Sequence, residues 1–221
     1  LSKTYRMKQA VAGISLRLEE GKIYGILGEN GSGKTTWMKM IAGLTKPTSG
    51  KIIFEGHGLC CSDKGEIAYM STEPFFYDYM KVCDVGKYYQ DFFEDFNPEK
   101  FDDMCEKMGL EPSMKVRELS SGMNAKLKIA ATLARNARLF LLDEPLNGID
   151  YKAREEIISL ILEEAGEKNT FVISTHLIDE IESFVDEALF IKGGELLRVV
   201  DLEKERIASG RSITDIYMEI M

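Results

Sequence analysis

A chain of 221 residues with a formal net charge of −9 fits one α/β domain with room for a helical insertion, and it can bury a full hydrophobic core. The acidic balance, without a dense Lys/Arg stripe, argues against nucleic acid as the main partner, because phosphate contacts need clustered positive charge. No apolar run approaches the roughly 18 residues that cross a bilayer, and Cys60, Cys61, Cys83 and Cys105 form no C-x-x-C pair, so they read as free thiols of a reducing cytosol rather than a zinc site.

Opening on Leu1 rather than Met, the sequence is expected to lack part of its N-terminus. Ile14, Leu16 and Leu18 alternate with Ser15 and Arg17, which predicts a half-buried strand running to a turn at Glu20-Gly21. Ile23-Tyr24-Gly25-Ile26-Leu27 is a continuous apolar run and predicts a buried strand. Directly after it, Gly28-Glu29-Asn30-Gly31-Ser32-Gly33-Lys34-Thr35 fits the phosphate-loop pattern G-x-x-x-x-G-K-[ST], and Thr36 to Ala42 reads as a helix. The glycines let backbone N–H groups curl around an anion, and the helix aims its positive end at the same place. In that pattern Lys34 reaches the β- and γ-phosphates and the Thr35 hydroxyl sits on Mg²⁺, with Glu29, Asn30, Gly31, Ser32, Gly33 and Thr36 completing the cradle. The chain is read as binding a nucleoside triphosphate.

Lys46-Pro47-Thr48-Ser49-Gly50 breaks the helix, Lys51–Glu55 predicts a short strand, and Gly56-His57-Gly58 a turn. His57 there reads as a solvated loop residue rather than a ligand. From about Ser71 to Asn136 helical spacing replaces strand-like runs. Phe92, Phe93, Phe96, Phe101, Met104, Cys105 and Met108 recur at helical steps. The favoured reading is a helical core, the alternative a surface that grips a partner helix. A single domain over 1–221, with a helical insertion at about 72–136, accounts for the pattern.

Strand signals then return. Arg138–Leu142 predicts a buried strand that ends in Asp143-Glu144, and Tyr151 to about Ala165 an amphipathic helix. In a parallel sheet the C-terminal strand ends face the ligand crevice. Asp143 is therefore a candidate Mg²⁺ ligand, and Glu144 a candidate to orient the attacking water and take its proton. Thr170–Ser174 predicts another strand, which delivers His176 to the same edge, in reach of the γ-phosphate or the water. Ala188–Ile191 and Glu195–Val200 predict a hairpin around Gly193-Gly194.

Five motifs now stand in one order: the phosphate loop 28–35; Leu119-Ser120-Ser121-Gly122-Met123; Leu139–Glu144; Asn147-Gly148-Ile149-Asp150; and His176. Over essentially its full length the chain resembles the ATPase subunit of an ATP-binding cassette transporter. The second motif is that family's signature and the fourth its D-loop, and Tyr5 falls where the family stacks an aromatic on adenine. The resemblance implies an α/β phosphate-loop NTPase core with a mostly parallel sheet, an N-terminal antiparallel β subdomain and an inserted helical subdomain. It implies ATP and Mg²⁺, and a head-to-tail pair with a second cassette, identical or different. Each ATP then lies between one phosphate loop and the other subunit's signature helix, so Ser120 and Gly122 act in trans and Asp150 joins the halves. It also implies a separate membrane permease, with this subunit at the cytoplasmic face of the membrane.

Two positions depart from the family. The signature usually reads L-S-G-G-Q, whereas Ser121 and Met123 stand here. Thr72 occupies the place of a Gln that bridges Mg²⁺ and the membrane-facing insertion, and Glu73, one residue on, is the carboxylate that could substitute as a metal ligand. The leading expectation is the energising ATPase of an exporter of a peptide, antibiotic or similar compound. The alternatives are a non-transport cassette ATPase and a cassette that binds ATP to dimerise but hydrolyses little.

Overall fold

The computed structural model describes residues 1–220. In chain order the elements are β1 (Lys3–Tyr5), β2 (Lys8–Val11), β3 (Ile23–Leu27), α1 (Lys34–Ile41), β4 (Ile53–Phe54), β5 (His57–Gly58), β6 (Ile67–Met70), α2 (Val82–Phe92), α3 (Pro98–Lys107), α4 (Ser121–Leu133), β7 (Leu139–Asp143), α5 (Tyr151–Glu164), β8 (Thr170–Thr175), α6 (Ile178–Ile181), β9 (Glu187–Lys192), β10 (Glu195–Asp201), α7 (Leu202–Ser209) and α8 (Ile213–Ile220).

The central sheet runs β10-β9-β3-β8-β7-β6, parallel throughout except for the β9–β10 hairpin. Its inner strands are apolar on both faces, as a covered parallel sheet requires. Side chains alternate between two cores. Phe140 and Leu142 of β7, with Phe171 and Ile173 of β8, enter the core shared with α2–α5. Leu139, Leu141 and Val172 enter the core shared with α1 and the N-terminal segment. Phe140 and Phe171 stack with centroids 4.7 Å apart, a pairing worth about 0.5–1.5 kcal/mol beyond burial. That register sets Asp143 opposite Ser174.

The segment between β6 and β7 carries α2, α3 and α4, where the sequence places its helical insertion. Phe96, Phe101, Met104, Cys105 and Met108 are core residues, as the helical-core reading expects, while Phe92 faces outward and is 67% exposed. α4 grips β6 from both ends. Arg135, just past α4, is buried and donates to the carbonyls of Gly65 (2.7 Å) and Ile67 (2.9 Å), with Nε 3.0 Å from Asp95 Oδ2. Lys128 donates to the carbonyls of Thr72 (3.2 Å) and Glu73 (2.9 Å) beyond β6.

Some local expectations change. Ile14, Leu16 and Leu18 are turned inward in the expected alternation, yet among the described residues this segment joins no strand ladder. Alternation specifies the buried face, not a hydrogen-bonded neighbour. The Lys51–Glu55 strand contracts to Ile53–Phe54 and pairs with His57–Gly58. The antiparallel part thus comprises two separate two-stranded sheets, β1-β2 and β4-β5. The sequence reading missed β6, a four-residue edge strand, and the short helices α6–α8. Among the described residues no helix is long and apolar enough to cross a membrane.

Candidate active site

The turn after β3 is shaped by glycines that tolerate no side chain. A Cβ on Gly28 would lie 2.1 Å from the Ile191 carbonyl oxygen, and one on Gly33 2.4 Å from that of Ala10. Gly33 also has φ 110°, in the region that favours glycine. It is the N-cap of α1, with no side-chain cap and no acid in the first turn. The helix therefore begins with uncapped N–H donors, the condition for anion binding. Ser32 adds a buried hydroxyl without a hydrogen-bond partner. These features fit a polyphosphate, and Lys34 points its buried ammonium back over the same turn, 2.6 Å from the Gly28 carbonyl and 3.2 Å from that of Glu29. Glu29, Asn30 and Gly31 are exposed along the turn, and Thr36 is partly buried on α1.

Asp143 ends β7 fully buried and accepts three hydroxyls: Ser174 (2.6 Å), Thr35 (3.1 Å) and Tyr69 (3.2 Å). Burial and the Asp143 carboxylate push the Tyr69 phenol above its ordinary pKa, so it remains a donor. The Thr35–Asp143 spacing of 3.1 Å suits adjacent ligands of Mg²⁺, whose metal–oxygen distances of about 2.0–2.1 Å in an octahedron put neighbouring oxygens roughly 2.9 Å apart. The residues present thus fit the ion.

Glu144 adopts φ 52°, one of three non-glycine residues with positive φ among the described residues. Such a conformation costs about 1–3 kcal/mol and persists only where surroundings enforce it. The enforcement is visible: its N–H is held by the Ser174 hydroxyl (3.0 Å) and carbonyl (3.1 Å). The carboxylate is then suspended between Lys34 Nζ (3.5 Å) and His176 Nδ1 (2.8 Å). Lys34, Thr35, Asp143, Glu144 and His176, from two strand ends and one helix, form one cluster connected through Ser174.

Other candidates stand apart from it. Glu73 is exposed and its carboxylate lies 3.4 Å from Lys39 Nζ, while the place beside Asp143 is taken by Tyr69. Tyr5 is 48% exposed on β1, with Lys3 Nζ 5.0 Å from its ring centroid. Its hairpin nevertheless abuts the phosphate loop, through the Ala10 contact with Gly33. Ser120 caps α4 by accepting the Met123 N–H at 3.2 Å. Gly122 packs so closely on the start of α5 that a Cβ would lie 3.3 Å from Asp150 Oδ2 and from Ala153 Cβ. Asp150 itself caps α5 through the Ala153 N–H (3.0 Å), a bond that lowers its carboxyl pKa. Among the described residues, Ser120, Gly122 and Asp150 form no hydrogen bond to the phosphate loop.

Sequence reasoning missed Tyr69, Ser174 and Lys128. Ser174 was recoverable as the last residue of a strand beside the Asp143 strand. Lys128 was not, since a lysine in a helix usually faces water; here burial depresses its pKa, and Nζ stands 5.1 Å from the Phe75 ring centroid. Lys128 and Glu144 line one cleft of about 280 Å³ with Thr72, Ser121 and Asn124. A larger cavity of about 620 Å³ lies beside Trp37 and Ile14. Arg138 and Glu20 at its rim pair with each other, and none of Lys34, Thr35, Asp143, Glu144 and His176 lines it.

The sequence model described as "ABC transporter" matches residues 11–147. The ABC transporter ATP-binding protein YcbN of Bacillus subtilis is 35% identical over 93% of this chain and 69% of its own length. The lantibiotic transport ATP-binding protein SrtF of Streptococcus pyogenes is 33% identical over 93% of this chain and 88% of its own. A solved ATP-binding subunit of an ABC transporter superposes with TM-score 0.87 at 22% identity, covering 100% of this chain and 96% of that one, a likeness of fold.

Proposed function

Because the chain belongs to the ABC transporter family as one of its ATP-binding ATPase subunits, we propose that it hydrolyses ATP at the Lys34–Asp143–Glu144–His176 cluster to power a separate membrane permease. The observation that carries this reading is the suspension of Glu144 between Lys34 and His176 at the N-terminus of α1. Lys34 exchanges its carbonyl partners for phosphate oxygens and neutralises charge that builds on them. The Gly28–Thr36 turn supplies N–H donors to the polyphosphate. Glu144 accepts the proton of the attacking water, and His176 holds that carboxylate in place. Thr35 and Asp143 would hold Mg²⁺, which when bound offsets phosphate charge; Glu73, tied to Lys39, is the weaker candidate for that shell.

Ser120, Gly122 and the N-terminus of α4 that Ser120 caps supply the second half of the site in trans, on a head-to-tail pair of cassettes. Asp150, beside Gly122, sets the shape of that surface. Tyr5 stacks on the base. The subunit works at the cytoplasmic face of the membrane through its permease, and similarity to SrtF supports export of a peptide antibiotic or related compound.

Two variants test the assignment. Lys34→Ala should lose ATP binding in titration calorimetry, and a retained affinity sinks the phosphate-loop role. Glu144→Gln should keep ATP, lose turnover and accumulate as an ATP-bound dimer in gel filtration; normal hydrolysis rejects Glu144 as the base. Affinity capture from detergent-solubilised membranes should recover a multi-span subunit in near-equal amount, and recovery of soluble partners alone would overturn the transport reading.

A further inference from the structure

Away from the phosphate loop, the β4–β5 hairpin and the 3-10 turn Ser62–Glu66 gather three chemically distinct donors. His57, Cys60 and Asp63 each offer one ligand atom, and the three atoms lie within 4.8 Å of one another. We propose that His57, Cys60 and Asp63 form a binding site for a divalent transition-metal ion, zinc by its donor chemistry, which clips the hairpin to the turn leading into β6.

The donor set and its orientation carry the argument. Zinc holds nitrogen, oxygen and sulfur at about 2.0–2.3 Å, so tetrahedral ligands stand roughly 3.3–3.8 Å apart. His57 Nε2 and Asp63 Oδ1 are already 3.8 Å apart. Both are held in the ligating sense by their other atoms. His57 Nδ1 lies 3.2 Å from the Gly58 carbonyl, which favours the tautomer that leaves the Nε2 lone pair free. Asp63 is buried and its Oδ2 accepts the Cys60 N–H at 2.7 Å, which leaves Oδ1 turned toward the imidazole.

Cys60 is exposed and its sulfur already lies within 4.8 Å of the other two ligand atoms. Imidazole, thiolate and one carboxylate suit zinc rather than magnesium or calcium, which prefer oxygen throughout. Three protein ligands leave a fourth position for water. On binding, the Cys60 S–H bond breaks, an Sγ–metal bond forms and the proton passes to buffer, with no change of oxidation state. The Cys60 sulfur lies 2.9 Å from the Ser62 hydroxyl, an exposed contact that metal ligation replaces. Of the other thiols, Cys105 is buried with its pKa pushed up to about 12, so it offers no thiolate.

The test is a titration of the purified, reduced, nucleotide-free chain with Co²⁺, which reports thiolate ligation by a near-ultraviolet charge-transfer band. The expected result is one Co²⁺ per chain with that band, displaced by equimolar Zn²⁺. Cys60→Ser should abolish the band, His57→Ala should weaken Co²⁺ binding about tenfold or more, and Cys61→Ser and Cys83→Ser should leave both unchanged. His57 and Cys60 are exposed, so circular dichroism should be unaltered in their variants. Absence of the band, its persistence in Cys60→Ser, its loss in Cys61→Ser, or unchanged affinity in His57→Ala would overturn the site. ATPase activity does not enter the readout.

Discussion

Polar groups are used in opposite ways at the strand ends and along α4. At the start of α1 and the ends of β6, β7 and β8, side chains bond to one another: Thr35, Tyr69 and Ser174 to Asp143, and Lys34 and His176 to Glu144. On and beside α4, charged groups reach backbone carbonyls instead, Arg135 before β6 and Lys128 after it. Mutually bonded side chains preorganise charge for chemistry, whereas bonds to carbonyls set where a segment lies. The first region is accordingly where we propose the reaction, and the second positions the loop between β6 and α2.

The two grips of α4 also differ from each other. Arg135 stacks over Phe93 at 4.2 Å and pairs with Asp95. Among the described residues Lys128 has no carboxylate partner, only carbonyls and the Phe75 ring. One end of β6 is fixed, and the other is held by an ammonium that burial disfavours.

Substitutions can break this comparison in descending order of effect. Glu144→Gln should lower turnover by about 10²–10⁴-fold, the contribution of a positioned general base, with stability little changed; steady-state phosphate release measures it. Arg135→Ala should do the reverse, destabilising the fold by about 3–5 kcal/mol because it strands Asp95 beside buried carbonyls. Urea unfolding checks it, and a loss confined to turnover would contradict a scaffolding role. Lys128→Ala should cost about 1 kcal/mol of stability yet lower turnover several-fold, with Lys128→Arg restoring part of it. If turnover survives intact, the loop 71–73 needs no such hold.

Alkaline pH sharpens the same contrast. The pKa of Lys128 is lowered in the fold by burial, so between that value and the ordinary lysine range the unfolded chain binds more protons than the folded one. The penalty is full below the lowered pKa and fades as pH rises from it toward the ordinary lysine range, so stability gains with pH. The gain should vanish in Lys128→Ala, as melting curves across that range would report. The smallest effect belongs to Tyr69→Phe, which removes one hydroxyl from Asp143 and should cost about 0.5–1.5 kcal/mol, read in the same unfolding assay.

The phosphate loop, Asp143, Glu144 and His176 were legible because each follows an apolar strand, and a parallel sheet delivers all such ends to one edge. The aromatic-Met stripe was legible as core for a related reason, since helical period specifies a buried face. Phe92 escaped that rule because the stripe turns outward at the end of α2. The Ile14–Leu18 strand failed where alternation had to name a partner, and Tyr69 and Lys128 were hidden because their role lies in what they reach.

By itself, then, the sequence determined the elements whose signals are local: the glycine turn before α1, the apolar strands, and the acids and histidine at their ends. Period and turn chemistry act over a few neighbouring residues and survive without the fold. Only the tertiary structure decided that Glu144 sits between Lys34 and His176, that Glu73 turns to Lys39, and that α4 holds both ends of β6. It alone also drew His57, Cys60 and Asp63 toward one point. Those contacts depend on strand order and helix packing, where long-range geometry outweighs the preference of any single residue.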